Sequence, residues 1–377
     1  MEEDKHIHIV SFDIPYPPDY GGVIDVFYKI YYLYKAGYKV ILHCFQYRDK
    51  KHSEELERYC KKVYYYCRDL SLKKHFSFLP FTVYSRINNE LLKNLLQDNY
   101  PILFETLHSA YYIQDKALKN RKKILRLSNI EHHYYYHLFL SEKNVLKKFY
   151  FLIESIKLYF FEKKAFANAD VILPVTQKDK EYVNTYYSNK TNILLPSFHP
   201  YLNNSICLGK GDYLLYHGNL SIAENYDAAE FLIDKIAPKV QIPIIIAGKN
   251  PPLFLIKKAQ KYKHVQIVEN PDEEEMKQLI QNAQIVWLYT KQATGLKLKL
   301  IYSLFTARFI IANAKMLAGT SLKSNTSLYI KNTVEEIVST IKTLENQEFD
   351  EHCLRERNIL LEEFNNKEGI KKLTSLL

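Results

Sequence analysis

Short apolar runs alternate with amphipathic stretches along almost the whole chain. His6–Phe12 reads as a buried strand, and Val23–Ala36 follows as a helix with Val23, Val26, Phe27, Ile30 and Tyr34 on one face and Gly37 as its stop. Val40–Cys44, Ile102–Glu105, Ile124–Leu127, Val171–Val175 and Ile193–Leu195 read as further strands. Helices fall near Asn89–Leu96, Ala110–Lys119, Glu142–Ala167 and Lys178–Tyr186. The second half repeats the grammar, with strands at Tyr213–Tyr216, Pro243–Ala247, Val265–Val268, Ile285–Leu288 and Phe309–Ala312. Its helices lie near Asn225–Ile236, Pro252–Tyr262, Glu273–Asn282, Leu296–Phe305 and Val334–Leu344. Such alternation predicts an α/β protein with parallel sheets covered by helices.

Periodicity is lost at Pro196–Gly211, a polar stretch with Pro and Gly. The predicted organisation is a doubly wound domain over residues 1–196, a linker over 197–211 and a second doubly wound domain over 212–355, with a cleft between them. Ligands of such sheets bind at the carboxyl ends of the strands, so the loops that follow each strand are where chemistry is expected.

Composition narrows the class. With 377 residues, 47% hydrophobic and 25% charged, the chain is an ordinary globular one with room for two domains. No apolar run approaches the ~18 residues of a spanning helix, and the acidic start MEEDKHIHIVSF is no secretory signal, so a cytoplasmic protein is expected. Five scattered cysteines without CxxC pairs indicate neither a disulfide framework nor a zinc site. Cys60 and Cys67, seven apart, read as two small core residues on one helix face. A net charge of +10 fits nucleic acid, anionic lipid or an anionic substrate, or simply a Lys- and Tyr-rich composition with 32 tyrosines. No recognisable nucleic-acid module accompanies it.

Two loops carry candidate chemistry. Gly21 and Gly22 directly precede the first helix, where paired glycines let backbone N–H groups approach a phosphate, although a tight turn explains them equally well and the GxGxxG fingerprint is missing. Thr294 and Gly295 stand at the start of the helix beginning near Leu296, with Lys297 and Lys299 in its first turn. Cations there oppose the helix dipole. Two lysines plus free N–H groups suit a diphosphate, the plain alternative being a solvated helix start.

At this point the sequence resembles the GT-B-fold glycosyltransferases, specifically the family 4 type of retaining, nucleotide-sugar-dependent enzymes. The matching pieces are PYPPDYGG, LRLSNIEHHYYYHL, ANADVILPVTQKDKEYV, YHGNLSIAENYDAAEFL, IIIAGKNP and ATGLKLKLIYSLFTARFIIANAKMLAGTSL, in that order across nearly the whole chain. The last is similar to a subgroup of bacterial surface-polysaccharide transferases with a Gly-x-Lys-x-Lys helix start. The resemblance implies two Rossmann-like domains facing a cleft and a helical tail, 356–377, that crosses back to the first domain. It places Gly21, Gly22, Thr294, Gly295, Lys297 and Lys299 at the donor diphosphate, and His108 at the transferred sugar. Asn219 and Lys249 are further donor contacts. The family's two Glu residues, seven apart, fall here near Gln292 or Ala293 and on Tyr302 or its neighbour; neither position is acidic, and Gln or a Tyr hydroxyl accepts hydrogen bonds from a ribose only in part.

Other clusters have less to say. His133 and His137 are an i, i+4 pair without a third metal ligand. Arg126, Asn129, Glu131 and His132 are expected to line the cleft after the strand KILRL. Lys61–Phe81 interleaves basic and aromatic residues, and Lys73, Lys74, Phe76 and Phe78 suit either an anionic bilayer interface or a core strand and loop with solvated lysines. The function implied is transfer of a hexosyl group, mannose first, from a nucleotide diphosphate sugar to a hydroxyl of a bacterial surface glycan, lipid-linked or not. Retention of configuration is implied, with no obligatory metal or cofactor and with catalysis resting on Lys297, Lys299 and backbone N–H groups. The rivals are a non-catalytic nucleotide-sugar-binding relative and a sugar-nucleotide epimerase of the same architecture.

Overall fold

All six residues of His6–Ser11 are buried, the pattern of a strand covered on both faces. In the computed structural model, which describes residues 5–46, 52–291 and 296–377, this segment is β1. Parallel strands follow it: β2 (Lys39–Gln46), β3 (Cys60–Cys67), β4 (Ile102–Glu105), β5 (Lys123–Leu127), β6 (Val171–Pro174) and β7 (Thr191–Asn192). They form one sheet in the order β3-β2-β1-β4-β5-β6-β7. A second parallel sheet contains β8 (Leu214–His217), β9 (Ile244–Gly248), β10 (Val265–Glu269), β11 (Ile285–Leu288), β12 (Phe309–Ala312) and β13 (Leu328–Ile330), in the order β10-β9-β8-β11-β12-β13. Both sheets reverse their winding direction, between β1 and β4 and between β8 and β11. This is the switch point at which doubly wound folds bind ligands.

The chain divides into two compact units. One runs to Pro200 and regains Asn366–Leu377, and the other is Tyr201–Asn365. The returning segment is a helix, Asn366–Thr374, whose Ile370 and Leu373 enter the core built on β1, β2 and the Gly21–Lys35 helix. Burying two such side chains contributes roughly 1.5–3 kcal/mol each. Asn366 fixes the entry, donating through Nδ2 to the His199 carbonyl at 2.8 Å and to the Tyr32 hydroxyl at 3.2 Å. Residues 356–365, expected to be part of that tail, stay with the second unit. There Arg357 of the Glu351–Leu361 helix is fully buried and donates to the carbonyls of Leu304, Ala307, Arg308 and Ser327 at 2.6–2.9 Å.

Several elements differ from expectation. Residues 110–119 are not one helix but short 3₁₀ turns, because the Asp115 side chain accepts the Ala117 N–H at 2.9 Å and so starts a new turn in mid-segment. Cys60 and Cys67 bracket β3 rather than sharing a helix face, and only Cys60 is buried. Ile193–Leu195 follows β7 instead of forming it, although Ile193 and Leu195 still donate to the carbonyls of Ile172 and Pro174 at 3.1 and 3.0 Å.

Candidate active site

The carboxyl edge of the first sheet is built from the ends of β1, β4 and β5. After β1 the chain turns through Phe12–Tyr20 into the Gly21–Lys35 helix. A Cβ on Gly22 would lie 2.7 Å from Phe12 Cζ, so this residue type lets the Phe12 ring lie over the helix start, while Gly21 is exposed. The loop is pinned by Asp13, which accepts the Ile14 N–H at 2.7 Å and the Tyr20 hydroxyl at 2.6 Å, and by Arg86, whose Nε donates to the Phe12 carbonyl at 2.9 Å.

β4 is followed by Thr106, which sits at φ 65°, a positive-φ conformation that costs a β-branched residue about 1–3 kcal/mol. Thr106 Oγ1 accepts the His108 N–H, and Ser109 Oγ lies 2.8 Å from the carbonyls of both Val10 and Glu105, its single proton shared between them, locking the turn to β1. His108 is thereby presented edge-on to Phe12, with ring centroids 6.4 Å apart. Its Nε2 lies 3.3 Å from Glu131 Oε2, within ion-pairing range but without the alignment of a hydrogen bond. Glu131 is the first residue of the Glu131–Ser141 helix and is itself buried. His132, next along, turns away from Glu131: its Nδ1 pairs with the buried Glu162, which also accepts the Glu131 N–H at 3.3 Å. Burial pushes the Glu162 carboxyl up. Asn129 is half-buried in the turn between β5 and that helix.

Arg126, expected to face a ligand, is 1% exposed, and its donors are spent inside the unit. Its Nη2 binds Asp25 Oδ2 at 3.1 Å and the Pro196 carbonyl at 3.0 Å, and its Nη1 binds the Leu195 carbonyl. Asp25 also receives Lys29 at 3.3 Å and the Phe198 N–H at 2.7 Å, and Lys29 pairs with Glu105 at 2.6 Å. Burial pushes Asp25 up, but Arg126 and Lys29 more than reverse it and hold it below the usual range; burial leaves Glu105 above it. This is a framework network. His133 packs its ring 5.0 Å from Tyr182, and burial lowers it to about 4. Among the described residues, no group of three or more His, Cys, Asp or Glu is placed to hold a metal ion.

The carboxyl edge of the second sheet is denser in charge. β8 ends in the Gly218–Asn219 turn, closed by Asn219 Oδ1 accepting from Ser221 N–H at 3.1 Å and Ser221 Oγ at 2.7 Å. Gly248 at the end of β9 is required here, since a Cβ would fall 1.8 Å from the Gly218 carbonyl oxygen. Lys249 follows it and is exposed. The helix Leu298–Thr306 has Lys297 at its N-cap, and Arg357 satisfies the carbonyls at its other end, fixing its direction. Lys297 Nζ lies 3.8 Å from Glu224 Oε1, and Glu224 also accepts the Thr290 hydroxyl. Lys299 Nζ donates to Asn225 Oδ1 at 3.1 Å and stands 5.3 Å from the Tyr216 ring centroid. Burial lowers Lys299 to about 8, with Glu224 opposing and Lys297 reinforcing the shift. Gln292, Thr294 and Gly295 lie outside the described residues.

Tyr302, which with its neighbour was expected near the second acidic position of the resembled family, lies in the Leu298–Thr306 helix. Its ring stacks on Tyr201, with centroids 5.0 Å apart and planes 3° from parallel, and meets His217 edge-on at 6.0 Å. Burial raises its hydroxyl to about 12. His217 is buried against Ser303 Oγ at 3.0 Å and lowered to about 3 by that burial.

Glu224 and its contact with Lys297 are features that motif spacing missed. The only sequence signal was an acidic residue in the first turn of the Ala223–Phe231 helix. Two ammonium groups against one carboxylate at a helix N-terminus leave an excess of positive charge that an anion neutralises.

No protein-family model matches the chain. A Klebsiella pneumoniae protein described as an uncharacterized 44.6 kDa protein in the cps region is 26% identical over 344 residues, covering 86% of this chain and 87% of that one. Sucrose-phosphate synthase from Thermosynechococcus elongatus matches with a TM-score of 0.70 at 14% identity, over 99% of this chain and 98% of that chain. A mutant of S. aureus TarM, solved with Fondaparinux, alpha-GlcNAc-glycerol and UDP, matches with a TM-score of 0.64 at 10% identity, over 99% of both chains. Anabaena HepE, in complex with UDP and glucose, matches with a TM-score of 0.61 at 11% identity, over 98% of both chains. The two parallel-sheet, Rossmann-like units of this chain have the fold of the GT-B glycosyltransferases.

Proposed function

We propose that the protein is a glycosyltransferase that moves a sugar from a nucleoside diphosphate sugar to a hydroxyl acceptor on a glycan. The observation that carries this reading is the pair Lys297 and Lys299 at a helix N-terminus on the carboxyl edge of β11, with Glu224 3.8 Å from Lys297 Nζ. That the similar structures of TarM and HepE were solved with UDP supports the choice of ligand class.

In this reading the diphosphate lies on the lysines and the N–H groups of the helix start. As the anomeric C–O bond breaks, charge gathers on the departing phosphate oxygen. Lysines already in place stabilise it without reorganisation, the largest single effect available to such a site. In the first unit, His108, backed by Glu131, is the group that meets the transferred sugar. By resemblance, the transfer proceeds with retention, the sugar is a hexose with mannose the first to test, and the two lysines supply the charge that a metal ion would otherwise bring. The test is a thermal-shift screen against GDP, UDP and their hexose conjugates, followed by product analysis with the nucleotide that binds. Binding with transfer supports the reading; binding without turnover points to a non-catalytic relative, and a changed nucleotide sugar formed without acceptor points to an epimerase.

A further inference from the structure

The helix Val145–Asn168 of the first unit carries five lysines and two glutamates, and both glutamates, Glu154 and Glu162, are buried. Its outward-facing charge is therefore entirely cationic. On the face opposite those glutamates, Leu146, Phe149, Ile153, Ile156 and Phe160 recur at helical spacing and are all exposed, Leu146 by 82%. This apolar stripe runs about 21 Å at 1.5 Å per residue. Lys163 and Lys164, both exposed, lie on its two flanks at the helical angle of 100° per residue.

The stripe is continued by a neighbouring segment. Lys157 Nζ donates to the His75 carbonyl at 2.9 Å, and the His75 ring lies 5.7 Å from Tyr150, so the 72–78 segment rests along the edge of this helix. Phe76 and Phe78 project from it, exposed by 90% and 100%. Lys73 is exposed beside them. Lys74 is not available, since its ammonium pairs with Asp69 at 3.1 Å and donates to the Tyr84 carbonyl at 3.0 Å.

We propose that this face, the Leu146–Phe160 stripe with Phe76 and Phe78, docks on an anionic lipid bilayer. Apolar side chains rimmed by lysines, with every acidic group of the helix turned inward, match an interface in which acyl chains lie beneath a negative headgroup layer. The attachment proposed is lateral, along the stripe; no helix among the described residues is long and apolar enough to cross a membrane. It does not depend on the glycosyl-transfer reading.

The experiment is co-sedimentation of the full chain with phosphatidylglycerol-containing vesicles and with phosphatidylcholine vesicles. The wild type is expected to bind the anionic vesicles and to be released by salt. Phe149→Glu with Ile153→Glu is expected to weaken partitioning on the order of a hundredfold, and Lys163→Gln with Lys164→Gln by roughly fivefold per lysine. All four side chains point outward, and an unchanged circular dichroism spectrum and melting curve show that the variants fold. Absence of wild-type binding, or equal binding by the Phe149/Ile153 variant, overturns the proposal. So does a dimer that the same variant dissociates while vesicle binding is unaltered, which assigns the face to a second copy of the chain.

Discussion

Glu224 Oε1 stands 3.8 Å from Lys297 Nζ while accepting the Thr290 hydroxyl, which brings a carboxylate from the helix after β8 to the start of the helix after β11. The lysines thus share one partial counter-charge and remain available to an anion. Replacing Lys297 or Lys299 with Ala is expected to weaken nucleoside diphosphate binding by about tenfold to a hundredfold each, the worth of a charge-assisted contact. Glu224→Gln removes the competing negative charge and is expected to tighten binding about threefold or more. Calorimetric titration reads both, and a tenfold loss in Glu224→Gln would show that Glu224 is itself a ligand of the donor.

Lys299 gives the site a pH dependence. Its ammonium is lowered to about 8 by burial, so it sheds its charge as pH rises through that value, and nucleotide affinity is expected to fall between about pH 7 and about pH 9. A bound diphosphate favours the charged form, so binding near pH 8 takes up protons, seen as a dependence of binding heat on the ionisation enthalpy of the buffer. In the free protein the sign is reversed. The unfolded chain holds that proton up to the ordinary lysine range, so this group's contribution to stability rises with pH above about 8. Flat affinity across the interval contradicts the placement of Lys299 at the diphosphate.

His108→Ala is expected to lower turnover by on the order of a hundredfold while leaving nucleotide affinity unchanged. Glu131→Gln is expected to act in the same direction through the 3.3 Å contact. Wild-type turnover in His108→Ala would remove it from the site.

The strands whose bounds were most legible in the sequence were those buried on both faces. Ile102–Glu105, Ile285–Leu288 and Phe309–Ala312 match their predicted bounds because an uninterrupted apolar run has one reading in an α/β chain. Two edge strands, β3 and β13, were not legible, whereas the edge strand β10 was expected at Val265–Val268. β3 is half-exposed and Tyr- and Lys-rich, and β13 spans three residues. At the candidate site, motif position singled out His108, Lys297 and Lys299 for test, but not what each touches. Glu224 lies some seventy residues from the lysines, and no local pattern encodes its approach. Arg126 illustrates the opposite error: an arginine at the end of a strand reads as a ligand-binding group, and only the positions of Asp25 and Pro196 show it to be internal.

That internal network makes a stability prediction. Arg126→Met leaves Asp25 buried with Lys29 as its remaining charged partner and is expected to cost about 3–5 kcal/mol, read as a lower midpoint in urea denaturation. A midpoint within experimental scatter of wild type would mean that the network contributes nothing net.

A nucleoside diphosphate held at the start of the Leu298–Thr306 helix is what the proposed function requires. The most direct measurement is a calorimetric titration of GDP and of UDP into the wild type and into the Lys297→Ala, Lys299→Ala double variant. At least one nucleotide is expected to bind the wild type saturably and to lose that binding in the variant, with both proteins melting at the same temperature. Binding that survives in the double variant, or no binding of either nucleotide to the wild type, would contradict this expectation.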